Sequence, residues 1–269
     1  MEHLEGRQSV LSALQARQRK FQVILVSHGA HLEKFQDVLD LATELGVPVK
    51  SVDRRELDAM AHGQTHGGIV ALAGAKPRMS ADQFIEVIDA LKTPPLLLLI
   101  EGIEDARNLG FTLRSAEALG AHAVLIKKHL WDFDPVEVAR PASGAYERLP
   151  LVQIDTIELL IQLQRRGLRL FGCIAGTQRT IYDVDMTGPS ILAIGGEKRG
   201  LSGAVRSLCD YFVTIPSAGE ATSLSLSHAS CIIMAEAMRQ RLSRKASPVH
   251  RAPLPLEEHL PSLEDPASA

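Results

Sequence analysis

The chain has 269 residues and an apolar content of 45%. With a mean hydropathy of +0.04, that suits a soluble protein able to bury one large core or two modest ones. A formal net charge of -3 argues against indiscriminate coating of nucleic acid, so any nucleic-acid face has to be local. Cys173, Cys209 and Cys231 are scattered without a Cys-x-x-Cys pair, which points away from a disulfide framework or zinc site. They read as small buried hydrophobes in a reducing compartment. The opening MEHLEGRQSVLSAL lacks a signal-peptide core, and PPLLLLI at 94–100 is far too short to span a membrane. A cytosolic protein without membrane contact or metal is expected.

In chain order, RQSVLSALQA (7–16) has helical apolar spacing and QVILVS (22–27) reads as a strand. HLEKFQDVLDLATELG (31–46) is a helix closed by Gly46. VPVKSVD reads as a second strand, RRELDAMA as a short helix and GGIVALAG as a third strand. A connector with a short helix between Pro77 and Pro94 leads to LLLLIEGI (96–103), a buried strand. The helix DARNLGFTLRSAEALG and the strand AHAVLIKK follow, then an ambiguous stretch, PVEVARPASGAYERLPLVQI. TIELLIQLQRRG is a helix, LRLFGCIA and ILAIGG are strands, and LSGAVRSLCD is a helix. YFVTIP is the last strand, before a long closing helix in SLSLSHASCIIMAEAMRQRLSR. Strands alternating with helices predict an α/β fold with a mostly parallel sheet covered on both faces. The expected division is a small unit at 1–75, a linker at 76–95, a larger unit at 96–244 and a disordered Pro-rich tail at 245–269.

A parallel α/β sheet binds ligands outside the carboxyl ends of its strands. Three such ends carry suggestive residues. EDARNLGFTLR places Asn108 near a helix N-cap and sets Gly110 and Arg114 on one helical face; by itself, a capped helix with a solvated arginine is the commoner explanation. ILAIGGEKRGLS spaces Gly195 and Gly200 as a P-loop would, but Leu201 stands where the lysine belongs, and no Gly-x-Gly-x-x-Gly register fits. Gly195 and Gly196 permit close backbone approach, Glu197 sits at the tip and Ser202 near the next N-cap; an ordinary strand-to-helix turn is an equal reading. IPSAGEATSLSLSHA sets Ser223, Ser225 and Ser227 before an apolar helix without a Gly-x-Ser-x-Gly elbow. Helix capping by the serines and a surface position for His228 are the plain reading there.

Together these three stretches closely resemble the SpoU (TrmH-like) branch of the SPOUT RNA methyltransferases. They match its Asn-x-Gly-x-x-x-Arg motif, its Gly-x-Glu-x-x-Gly-Leu loop (here GGEKRGL) and its Ile-Pro-x-x-Gly…Ser-Leu-Asn-Val-Ser segment, over about residues 96–243. GRQSVLSAL and HGGIVALA are similar to the family's small RNA-binding domain. The resemblance implies a deep trefoil knot in the larger domain, one of the rare exceptions to unthreaded chains. It implies S-adenosylmethionine as cofactor, bound by Gly195, Gly196, Glu197, Ile215, Pro216, Ser223 and Leu224, and a homodimer through the knot region. The implied reaction is methyl transfer to a ribose 2′-hydroxyl of RNA, with ribosomal RNA favoured by the accompanying N-terminal unit. Arg114 would hold a phosphate and activate the hydroxyl, Asn108 would orient arginine or ribose, and Glu197 would fix the loop. The family's third-motif Asn is Ser225 here, Ala106 replaces a proline and Gly67 a glutamine. Ser225 keeps one donor but loses the amide's reach. Two alternatives stay open: a non-catalytic RNA-binding member, and tRNA as substrate.

Overall fold

The computed structural model describes residues 1–62, 66–127, 132–220 and 224–245. The tail expected to be disordered falls, from residue 246 on, outside the described residues, as does Ser223.

The first unit runs β1 (Glu2–Glu5), α1 (Arg7–Ala16), β2 (Phe21–Ser27), a 3-10 turn (Leu32–Phe35) into α2 (Gln36–Glu44), β3 (Val49–Val52), α3 (Arg54–Met60) and β4 (Ile69–Ala73). Its sheet has the order β1-β4-β2-β3. Only β2 and β3 are parallel, whereas β4 is antiparallel to both β1 and β2, so this sheet is mixed. The strand β1 has no counterpart in the sequence reading, because a four-residue segment with two glutamates carries no strand period. Pairing with β4 nonetheless buries Leu4 and Glu5. Val10, Leu14, Ile24, Val38 and Ile69 form the core under α1 and α2, while Leu57 of α3 packs on the opposite face.

The second unit runs α4 (Ala81–Ala90), β5 (Leu96–Ile100), α5 (Ala106–Ala118), β6 (Ala123–Lys127), α6 (Pro135–Ala142), α7 (Ala145–Arg148), β7 (Leu151–Ile154), α8 (Glu158–Arg165), β8 (Arg169–Cys173), β9 (Ser190–Ile194), α9 (Gly203–Arg206), β10 (Tyr211–Val213) and α10 (Leu226–Lys245). Its six strands are all parallel, in the order β10-β8-β9-β5-β6-β7. Successive strand residues face opposite ways. Leu96, Leu98 and Ile100 therefore pack with Leu113 of α5, Val138 of α6 and Ile233 of α10, while Leu97 and Leu99 meet Phe84 of α4 and Leu160 of α8. The helix of the connector is part of this core: Ser80 and Gln83 close a capping box, and Phe84, Ile85 and Ile88 are buried.

Strand β9 follows β8 in the chain yet lies between β8 and β5. The connection 174–189 has no helix and is held by α10 instead. Gln240 donates to the Val184 carbonyl at 3.0 Å and accepts from Met186 N–H at 2.8 Å. Arg241 donates to the carbonyls of Met186, Gly188, Pro94 and Pro95.

A buried polar cluster joins the two units. The Arg19 guanidinium donates to both Glu147 oxygens at 2.8 and 2.9 Å, to Glu2 at 2.5 Å and to the Gly74 carbonyl at 2.9 Å. Lys76 donates to the carbonyls of Tyr146 and Leu149. Burial lowers the Lys76 pKa to about 8, partly opposed by the Glu147 charge, and raises the Tyr146 phenol to about 12.

Candidate active site

A cleft of about 340 Å³ opens at the carboxyl ends of β8, β9 and β10. Its walls are Cys173–Ala175, Ile194–Glu197, Gly200–Leu201, Thr214–Ser217 and the start of α10 around Leu224 and Ala229. Three chain segments distant in sequence supply it because the parallel sheet aims all three strand ends the same way.

The loop after β9 folds tightly on itself. Gly200 N–H donates to the Gly196 carbonyl at 2.8 Å, and a Cβ on Gly195 would lie 2.0 Å from the Gly200 carbonyl carbon and 2.2 Å from Leu201 N. Gly195 therefore must lack a side chain because its own loop crosses it; close approach of a cofactor is not needed to explain it. Gly196 lies against Gly102, its virtual Cβ 3.1 Å from the Gly102 carbonyl oxygen, so the loops after β9 and β5 touch backbone to backbone.

Glu197 is exposed, and its Oε1 accepts the N–H of Leu226, the first residue of α10, at 3.3 Å. The second loop thus caps the helix that the serines were expected to cap. Ser225 turns elsewhere: its hydroxyl lies 2.5 Å from His228 Nδ1 and 3.2 Å from the Ser227 hydroxyl. Ile215 is half-buried, Pro216 and Leu224 are exposed, and all three line the cleft.

On α5 the N-cap is Asp105, whose carboxylate accepts from Arg107 and Asn108 N–H; Asn108 is the third helical residue, in the first turn beside that cap. Gly110 serves helix packing, since a Cβ there would lie 2.4 Å from the Val138 carbonyl oxygen of α6. Asn108 and Arg114 do not line the cleft within this chain. Arg114 is exposed, and among the described residues no hydrogen bond or ion pair reaches its guanidinium. Arg107, Phe111 and Arg114 share one solvent-facing stripe at helical spacing, with Phe111 49% exposed.

Sequence reasoning missed Glu101. This carboxylate at the end of β5 accepts from Ser202 N–H at 2.6 Å and the Ser202 hydroxyl at 2.8 Å, and pairs with Lys127 of β6 at 3.0 Å. A charge directly after the apolar run LLLLI was the available signal. The cysteines are half-buried rather than fully buried; burial pushes the Cys173 and Cys209 thiols up to about 11. Among the described residues, no helix is long and apolar enough to cross a membrane and no three metal-capable side chains cluster.

The cleft's chemistry fits a nucleoside without a polyphosphate. Its walls are largely aliphatic, its glycine backbone allows close approach, and its one lining cation among the described residues, Arg206, lies over the Phe212 ring at 5.6 Å.

Comparison with known proteins agrees. Residues 95–235 match the model of the SpoU rRNA methylase family, and residues 3–79 that of RNA 2′-O ribose methyltransferase substrate binding. The chain is 35% identical over 242 residues to the 23S rRNA (guanosine-2′-O-)-methyltransferase RlmB of Pseudomonas putida, covering 90% of this chain and 97% of that protein. It is 35% identical over 239 residues to the RlmB of Ralstonia nicotianae, covering 88% and 95%. The crystal structure of the SpoU methyltransferase AviRb from Streptomyces viridochromogenes with AdoMet superposes with a TM-score of 0.74 at 27% identity, covering 90% of each chain. A parallel sheet, a nucleoside-sized cleft at its carboxyl ends and these matches along nearly the whole chain place the protein in the SpoU rRNA methylase family, as an RNA 2′-O-methyltransferase that uses S-adenosylmethionine.

Proposed function

We propose that this chain methylates the ribose 2′-hydroxyl of a guanosine in 23S rRNA, in the cytoplasm, as a homodimer. The observation that carries this reading is the cleft in which the second and third motif segments meet, tied together by the Glu197–Leu226 bond. The RlmB relatives, matched over nearly their whole length, support the guanosine of 23S rRNA as target.

Bound in the cleft, S-adenosylmethionine supplies an electrophilic methyl on a sulfonium. The glycine backbone at Gly195 and Gly196, with Ile215, Pro216 and Leu224, would hold it, and Glu197 keeps the wall formed by α10 in place. Ser223 belongs to the same motif. Arg114, a fixed cation without a carboxylate partner among the described residues, is suited to an RNA phosphate beside the reacting ribose. Asn108 on the same helix orients that contact. Arg114 and Asn108 lie outside the cleft of their own chain, which supports a dimer in which one protomer's α5 serves the other's cleft. The stripe Arg107–Phe111–Arg114 offers an RNA single strand two cations around one exposed ring.

Two experiments test the reading. Calorimetric titration with S-adenosylmethionine and S-adenosylhomocysteine should show binding. The purified protein should also transfer labelled methyl groups to 23S rRNA from a Pseudomonas putida strain lacking RlmB, at one guanosine. Binding without transfer to that RNA overturns the substrate; no binding by a folded protein overturns the activity.

A further inference from the structure

The two units touch at a second place, at the end of β1 away from Arg19. Glu5 of that strand has a fully buried side chain. Its Oε1 accepts the His62 backbone N–H at 2.7 Å and lies 2.8 Å from His62 Nδ1, while its Oε2 is buried with no hydrogen-bond partner among the described residues. His62 follows α3 in the first unit, yet its Nε2 lies 2.8 Å from Oδ2 of Asp134, the N-cap of α6 in the second. The other Asp134 oxygen accepts the Val136 N–H at 2.9 Å, so the cap holds the carboxylate that the ring meets. One imidazole therefore spans from a buried carboxylate of one unit to a half-exposed carboxylate of the other.

A neutral imidazole has one N–H and one bare nitrogen. Between two carboxylates it donates to one and turns a lone pair on the other. Only the imidazolium donates both ways, so this bridge is made by the proton. When the proton leaves, the two carboxylates compete for the N–H that remains. Glu5 is sealed from water, and an unmet charge there is the costlier loss, whereas Asp134, 38% exposed at its side chain, can turn to solvent. The neutral ring thus keeps Nδ1–H on Glu5 and gives up Asp134, its partner in the other unit.

We infer that protonated His62 is a pH-sensitive latch between the two units, and that its deprotonation frees the first unit from the start of α6. The Arg19–Glu147 cluster and the Arg148–Ser12 hydrogen bond keep the units tethered elsewhere. Glu2, which meets Arg19, and Glu5 stand three residues apart on β1, about 10 Å along the strand. Losing one tether leaves a hinge at the other. The hydrogen bond with Glu5, opposed by burial and helped by the Asp134 charge, raises the His62 pKa above its ordinary 6.5. A raised folded pKa makes the latch complete below about pH 6.5 and lost as pH rises through the folded value. On the surrounding elements, Glu2 pairs with Arg19 and Asp58 with His66. His3 on β1, Arg54, Arg55 and Glu56 on α3, Asp132 before α6, and Glu137 and Arg140 on it make no hydrogen bond or ion pair with the ring among the described residues.

The test uses the full chain and needs no methyl transfer. Imidazole 15N–1H spectra across pH should give a His62 midpoint above 6.5 and an Nδ1–H neutral ring. Asp134→Asn, which keeps a capping oxygen, should lower that midpoint by about 0.5 pH unit, the size of a half-exposed pair. Residual dipolar couplings of the backbone amides report how the units are oriented. A single orientation should fit both units one pH unit below the wild-type midpoint and fail one unit above it; in Asp134→Asn it should fail on both sides. A wild-type midpoint at or below 6.5, an Nε2–H neutral ring, a midpoint unmoved in Asp134→Asn, or a single orientation that fits the wild type above the midpoint as well as below it overturns the proposal.

Discussion

Replacing Glu147 with Gln probes what holds the first unit against the second. Arg19 and Glu147 are 0% and 1% exposed at their side chains and share two hydrogen bonds. Around them the charges balance, with Arg19 and Lys76 against Glu147 and Glu2. Glutamine keeps the shape and one acceptor but removes a charge, leaving two buried cations against Glu2 alone, itself 25% exposed at its side chain. Breaking a buried pair by removing one partner costs about 3–5 kcal/mol. The retained acceptor and Glu2 bring the expected loss toward the lower end, about 3 kcal/mol. Urea unfolding followed by circular dichroism, with limited proteolysis between the units, measures it. Replacing both partners together, Arg19→Met with Glu147→Leu, should recover part of the loss, since it leaves Lys76 balanced by Glu2 although Glu2 and the Gly74 carbonyl lose the Arg19 donors. A loss under about 1 kcal/mol in Glu147→Gln, or a double variant no better than the single, would refute the charge argument.

Three further outcomes follow from the cleft and its surroundings. Gly195→Ala drives a Cβ into the loop backbone at 2.0 Å, so affinity for S-adenosylhomocysteine should fall at least tenfold, about 1.4 kcal/mol, while circular dichroism stays native. Glu197→Ala removes the side-chain acceptor of Leu226 and should cost about 0.5–1 kcal/mol of stability, with Glu197→Gln near wild type in thermal unfolding. Phe111→Ala should raise KM for the RNA about 5- to 100-fold, the worth of one stacked base, with cofactor affinity unchanged. If Phe111→Ala instead splits the proposed dimer in ultracentrifugation, the ring belongs to the protein–protein interface.

The architecture was legible wherever a period was long enough to see. The run LLLLI at 96–100 announces a two-sided strand, and its alternate residues do face two different cores. The strand β1 was hidden because its partner β4 is more than sixty residues away and its own four residues carry no pattern. The stretch 135–154 resisted reading because α6 contains Pro141, which sequence logic takes as a helix breaker; it lies one residue from the helix end, where Ser143 takes a left-handed conformation. The motifs marked the right loops but not the reasons for their residues. Gly110 answers to a neighbouring helix, Gly195 to its own loop, and Glu197 to an N–H 29 residues on. Such causes are tertiary and leave no local trace. Glu101 is the converse: a buried-looking charge at a strand end that sequence alone could have flagged.

The same interdomain cluster makes a pH prediction whose sign can be worked from Lys76. Burial, the largest cause, lowers its folded pKa to about 8 from an ordinary 10.5. Between those values the unfolded chain holds the proton and the folded chain has lost it, so this residue makes stability rise with pH across that window. Below pH 8 both states are protonated and the contribution is flat at its least favourable level. Cys173 acts oppositely: its folded pKa is raised to about 11 from 9, so the folded chain holds more protons and stability falls from pH 9 upward. The two windows overlap only above pH 9, which leaves pH 8–9 as the interval where Lys76 stands apart from this thiol. Subtracting the unfolding free energies of Lys76→Met from those of the wild type cancels the thiols and Tyr146. That difference should increase by about 1 kcal/mol per pH unit there, on the order of the 1.36 kcal/mol that one unit represents. A flat or falling difference between pH 8 and 9 would mean that Lys76 stays charged against its two carbonyls, and that the cluster is wetter than its burial indicates.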